Sequence, residues 1–165
     1  MSADGGVVIT GINFNIGGKA YFTRNGTAWG CHTFFAAATY PRTMRCRLWR
    51  NGVSVAIHSQ TINSAGYYDC LFDAPYYVSD PRQMPYTCSI FDASLADGGV
   101  GGVASLDYWH GAARPGALTQ SYFTYNELGG TIMPLQSYYS SGGDVEPNQA
   151  SGVIFVDMIF TSPLP

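Results

Sequence analysis

The chain has 165 residues, of which 46% are hydrophobic, 15% aromatic and only 12% charged. That apolar content excludes a disordered chain, and the length suffices for one domain that buries roughly 70% of the surface its unfolded form exposes. A formal net charge of −3 without a basic excess argues against a nucleic-acid partner, and no apolar run approaches the roughly 18 residues of a membrane-spanning helix.

Twenty glycines and nine prolines, with few lysines or glutamates, favour short strands and turns over helices. Residues 1–6 read as a loose arm, and residues 7–165 as one domain. Val7–Ile16 is a predicted strand with Val8, Thr10, Ile12, Phe14 and Ile16 on one face, ended by Gly17-Gly18. Lys19–Phe22 is a short second strand. Asn25-Gly26-Thr27 reads as a turn that happens to spell a glycosylation sequon. Trp29–Tyr40 is expected to be strand or loop, with Pro41 holding Tyr40 extended.

Residues 43–73 carry the strongest pattern. Met44, Cys46 and Leu48 alternate with Arg45 and Arg47, so one face is apolar and the other charged. Asn51-Gly52 is a hairpin signal, because both residues tolerate positive φ. Val53, Val55 and Ile57 then alternate with Ser54, Ala56 and His58, and after Asn63–Gly66 come Tyr68, Cys70 and Phe72. The three runs read as a β-meander whose apolar face needs a second layer.

Further strands are expected at Tyr76–Val78, Tyr86–Phe91, Ala104–Trp109 and Gln120–Tyr125, with turns at Asp80-Pro81 and Arg114-Pro115-Gly116 and a glycine-rich loop at Asp97–Gly102. Residues 127–151 read as loop with one short strand near Leu135–Tyr139. Gly152–Phe160 is a nearly continuous apolar run, expected as an interior strand with Ile154, Val156, Met158 and Phe160 inward. The sum is an all-β, mostly antiparallel single-domain β-sandwich or jelly roll.

Cys31, Cys46, Cys70 and Cys88 have no C-x-x-C spacing, which disfavours zinc. Cys46, Cys70 and Cys88 alternate in step with apolar residues, so reduced core thiols are the first expectation and at least one disulfide the second. Met-Ser-Ala-Asp lacks the basic and apolar regions of a signal peptide. Residues 1–50 carry six cations against Asp4, a net of +5, while residues 51–165 carry two arginines against ten acids, a net of −8. Such asymmetry favours contact between copies.

No spacing for catalysis stands out. H-x-x-x-H, H-E-x-x-H, G-x-S-x-G and the phosphate-binding glycine loop are all missing, and nothing singles out Ser105, Asp107 and His110 as a triad. No cofactor or metal is expected; Asp92, Asp97 and Asp107 read as turn caps rather than calcium ligands. The aromatics, including Trp29, Tyr67, Tyr68, Tyr76, Tyr77, Tyr138 and Tyr139, exceed the needs of one core. Exposed rings mark sugar platforms or protein interfaces. Trp49 shares the outer face of Arg45 and Arg47, and Trp109 lies beside Asp107, His110 and Arg114, polar groups able to reach sugar hydroxyls.

The segments VVITGINF, RCRLWRNGVSVA, YYDCLFDAPYYVSDPRQMPYTCSIFD and GVIFVDMIFTSP together resemble the DUF4082 domain, a β-sandwich module of unassigned function. The matching positions include Phe72, Pro75, Tyr86, Val156, Asp157, Met158 and Phe160. The resemblance implies a sandwich in a structural or adhesive setting, beside carbohydrate-active modules of secreted proteins, and supplies no catalytic residue. The sequence thus yields two functional expectations. The first is a non-enzymatic structural protein of a virus or phage particle, located in the virion, whose partners are its own copies or other virion proteins. The second is a secreted carbohydrate-binding module engaging surface glycans. Neither calls for nucleic acid or membrane as partner.

Overall fold

The computed structural model describes residues 8–11, 15–37, 39–95, 104–107, 122–123, 132–140, 143–150 and 156–161. The strands are β1 (Val8–Gly11), β2 (Asn15–Phe22), β3 (Gly26–Ala37), β4 (Arg42–Arg50), β5 (Val53–Ile62), β6 (Gly66–Val78) and β7 (Tyr86–Asp92). They continue as β8 (Ala104–Asp107), β9 (Tyr122–Phe123), β10 (Ile132–Ser140), β11 (Gln149–Ala150) and β12 (Val156–Thr161). One sheet has the order β1-β8-β3-β12-β9, with β6 also paired to β3; the other runs β11-β10-β2-β7-β4-β5. All described pairings are antiparallel, and the two sheets pack as a sandwich.

The period-two pattern of β4 sets its faces. Met44, Cys46 and Leu48 are fully buried in the core between the sheets, and Arg45 and Arg47 point to the opposite face. Asn51 and Gly52 have φ of 50° and 78° and join Arg50 directly to its partner Val53, a two-residue hairpin of the kind that sequence pair favours. The expected meander stops there. Asn63–Gly66 carries the chain across to the other sheet, where β6 pairs with β3 rather than with β5. β6 then absorbs the strand expected at Tyr76–Val78: its register jumps from Leu71 to Tyr76 while β3 passes from Gly30 to Ala28, so Phe72–Pro75 bulge opposite Trp29, and Trp29 is itself the extra residue against Ile159 and Phe160 of β12.

The expected strand Val7–Ile16 is two strands in different sheets, β1 and β2, and Gly17-Gly18 lies inside β2 instead of ending it. The reason is proximity. A Cβ on Gly17 would stand 2.8 Å from the Cys88 carbonyl oxygen, so the glycine admits the neighbouring β7. Trp29–Tyr40 is resolved in favour of strand by β3, which ends at Ala37.

The expectation of reduced cysteines is wrong. Cys31 pairs with Cys88 and Cys46 with Cys70, and no described cysteine is free. The first joins β3 to β7 and the second β4 to β6, so each spans the two sheets. The alternation that marked Cys46, Cys70 and Cys88 as inward-facing also aims their sulfurs at the opposing inner face.

β12 lies between β3 and β9, an interior position as its apolar run implied. Val156, Met158 and Phe160 join Met44, Cys46 and Leu48 in the core, and the Phe160 ring stacks on Phe22 with centroids 4.3 Å apart. Residues 152–155 lie outside the described residues. Ile159, on the other face of β12, is also buried. Residues 143–147, within the segment read as loop, lie over the opposite sheet.

The bridges close sequence separations of 57 and 24 residues. On the chain-entropy account each contributes about 3–4.5 kcal/mol. Urea unfolding of the oxidised protein and of protein carrying Cys46→Ala with Cys70→Ala will show a loss in that range; equal midpoints would contradict it. Phe160→Ala removes a fully buried, stacked ring and is expected to cost about 3–5 kcal/mol in the same assay.

Candidate functional site

Two outer faces are available, one on each sheet. On the sheet containing β2, β7 and β4, the outward residues are polar, yet they are not solvated. Thr87 and Ser89 of β7 and Asn15 of β2 are fully buried. Residues 143–147 lie across Thr87 and Asn15 as a strap, with Asp144 and Glu146 pointing inward. Asp144 Oδ2 accepts from Arg45 Nη1 at 3.1 Å, from Arg47 Nε at 2.9 Å and from Arg47 Nη2 at 2.8 Å. Asn15 Nδ2 donates to the Val145 carbonyl at 2.8 Å. Glu146 accepts from Thr87 Oγ1 at 2.8 Å, lies 3.6 Å from Lys19 Nζ and takes the Gly52 backbone N–H. Pro147 is buried, while Val145 between the two acids is exposed.

Trp49 belongs to this face but is not an exposed platform: it is 6% exposed, and its Nε1 donates to Ser89 Oγ at 2.6 Å. The Arg47 guanidinium lies 5.4 Å from its ring centroid, and Arg47 Nη1 and Arg45 Nε donate to Ser54 and Ser59, each at 3.1 Å. Strand alternation places Trp49 outward, where Ser89 and the Arg47 guanidinium lie against it. Tyr138 and Tyr139 lie in β10, opposite Ala150 and Gln149 of β11 on one side and Gly17 and Ile16 of β2 on the other. Asp107 is opposite Val8 in β8, and Trp109, His110 and Arg114 lie outside the described residues.

The charge asymmetry of the sequence is largely consumed inside the molecule. Besides the strap contacts, buried Arg42 donates from Nε to Asp92 Oδ2 at 2.7 Å, and Asp92 Oδ1 accepts the Ser94 N–H at 3.0 Å, the turn-capping role expected of it. Arg50 pairs with Asp80, which also accepts from the Tyr86 hydroxyl at 2.6 Å. Among the described residues no group of three or more His, Cys, Asp or Glu could hold a metal ion.

The second face, formed by β6, β3 and β12, carries a different chemistry. Trp29, Tyr67, Leu71 and Tyr77 are 41%, 38%, 52% and 56% exposed. The registers Phe34↔Tyr67, Gly30↔Leu71 and Thr27↔Tyr77 put the β6 residues on the side away from the core, over a span of roughly 20 Å at the usual rise per residue. Trp29 projects from the bulge, and its Nε1 donates to Thr161 Oγ1 of β12 at 2.7 Å, which fixes the indole edge. At the other end Tyr67 lies parallel to the buried His32 ring, with centroids 5.7 Å apart, and His32 Nδ1 is 2.6 Å from the half-exposed Asp69 carboxylate. Sequence reasoning counted Trp29, Tyr67 and Tyr77 among the surplus aromatics but did not bring them together with Leu71. The missing signal was the bulge, which no local pattern marks.

No family model, no curated protein and no solved structure matches this chain.

The Arg50–Asp80–Tyr86 contact predicts a pH dependence. The Tyr86 hydrogen bond and the Arg50 charge hold the Asp80 carboxyl below its ordinary value, against its partial burial; burial, and then the Asp80 carboxylate, push the Tyr86 hydroxyl well above its own. A lowered carboxylate pKa gives stability that is complete above about pH 4 and lost as pH falls through the folded value. The raised tyrosine pKa gives stability that is intact below about pH 10 and eroded above it. Tyr86→Phe keeps the ring and is expected to cost about 1–3 kcal/mol at neutral pH, with the deficit shrinking as acid protonates Asp80. Urea titrations of both proteins between pH 2 and pH 7 measure this; a deficit independent of pH would rule the linkage out.

Proposed function

We propose that this protein is a non-enzymatic carbohydrate-binding module that acts outside the cell and engages glycans through the outer face of β6, β3 and β12. The row Trp29, Tyr67, Leu71 and Tyr77 carries the proposal. Flat rings held on a rigid sheet offer apolar faces to sugar rings at little conformational cost. Asp69, Thr161 and Thr27 along the same strands supply acceptors and donors for hydroxyls. Two disulfides support an oxidising compartment. The resemblance to DUF4082 modules points the same way, and the connections suit a jelly roll, an architecture used by lectins as well as capsids.

Leu71, half exposed in the middle of the row, favours a second reading: docking to another copy or to a protein of a virus particle. An aliphatic side chain adds apolar contact to a protein interface and little to sugar stacking. The charge asymmetry lends this reading less support, since four of the five arginines in residues 1–50 are paired internally.

Trp29 is the exposed one of the two tryptophans described, so its fluorescence reports directly on this face. Titration with neutral oligosaccharides is expected to quench it, and Trp29→Ala and Tyr77→Ala are each expected to weaken binding roughly tenfold. Light scattering is run in parallel. A protein that binds no sugar at millimolar concentration, yet forms an oligomer dissolved by Leu71→Ser, would replace the first reading with the second.

A further inference from the structure

We propose that the polar outer face of β2, β7 and β4 is a binding site for an acidic peptide segment with carboxylates on alternate residues, and that residues 143–147 are its built-in competitor.

The cradle is assembled from three strands and a hairpin: Arg45 and Arg47 from β4, Lys19 and Asn15 from β2, Thr87 from β7 and the Gly52 N–H. Donors dominate it, and three are cationic. Arg47 presents two nitrogens to one carboxylate oxygen, at 2.9 and 2.8 Å, the strong charge-assisted arrangement. What fills it is a bent piece of main chain, tightened by the Val145 N–H donating to the Gly143 carbonyl at 2.9 Å, with Asp144 inward, Val145 outward, Glu146 inward and the Val145 carbonyl held by Asn15. The recognised pattern is therefore Asp-x-Glu plus backbone. Val145 makes no demand on the face, since it is exposed.

The cradle is also incompletely satisfied by its present occupant. Asn15 is fully buried, and its Oδ1 has no hydrogen-bond partner among the described residues. An unmet buried acceptor is costly, and natural structures rarely leave one. A segment that places a backbone N–H against Asn15 Oδ1 would use all of the cradle, whereas the strap uses part of it. The strap has the advantage of being tethered, which gives it an effective concentration on the order of millimolar. A partner segment competes only if it is present at high local density or binds better at Asn15. The core and both bridges lie between the sheets, on the face away from the strap.

The experiment uses the full chain carrying Asp144→Asn with Glu146→Gln, and a labelled peptide of sequence GDVEPNQ, that of residues 143–149. Binding is read by fluorescence anisotropy, and opening of the strap by hydrogen exchange at residues 143–147. The expected result is peptide binding to the variant at least roughly tenfold tighter than to the wild type, abolished by adding Arg47→Gln and absent with the peptide GNVQPNQ. Glu146→Gln alone, which keeps the Asp144–arginine contacts, is expected to fall between the two and replaces the double variant should that one fail to fold. Equal binding by wild type and variant would overturn the proposal, as would a variant whose strap stays protected. Preference for an oligouronate over the peptide would overturn the assignment of the ligand as peptide. None of these readings involves Trp29 or Tyr77, so failure here is distinct from failure of glycan binding on the opposite sheet.

Discussion

Two covalent bridges across the core are the constraint on which the rest of the structure depends. Cys31–Cys88 and Cys46–Cys70 bring the Cα atoms of facing strands to 5.9 and 6.1 Å, where facing sheets ordinarily stand about 10 Å apart. β3, β4, β6 and β7, the four strands they join, carry most of the inward-facing core. With that pairing fixed, β3 and β6 present their outer side as one surface and β4 and β7 present theirs as another. The sheets cannot slide past each other without breaking a bond, so both outer faces are rigid platforms. Rigidity matters to either kind of recognition, because a preordered surface loses less entropy on binding.

The electrostatics follow from the same framework. A half-buried strand with arginines outward usually wets its charges. Here Arg45 and Arg47 meet Asp144, Arg42 meets Asp92 and Arg50 meets Asp80. Every residue of β7 is buried, inward by the core and outward where Thr87 meets Glu146 of the strap and Ser89 meets Trp49. The strap thus acts as a third layer on one sheet only. The other sheet keeps Trp29, Tyr67, Leu71 and Tyr77 open. One face is apolar and open, the other cationic and occupied.

Much of the architecture was legible in the residues. Alternation in β4, the Asn51-Gly52 turn and the apolar run of β12 each encode a local preference, and each formed as expected. Trp49 was correctly put on the outer face and wrongly taken as exposed, because the partner of its indole N–H, Ser89, lies forty positions away on a neighbouring strand. The strap itself had a faint signature: Asp144 and Glu146 alternate with period two, as Arg45 and Arg47 do. Nothing local says that two such patterns should meet.

The sequence by itself determined strand character, the inward direction of Cys46, Cys70 and Cys88 and the excess of aromatics, since these depend on side-chain period and composition. Only the tertiary structure decided which sheet each strand joins, which cysteines pair, which aromatics stay exposed and which charges are neutralised. Those outcomes depend on contacts between residues far apart in the chain. At Asn63–Gly66 a hairpin and a crossover read alike, and what separates them is whether Cys70 can reach Cys46 across the core.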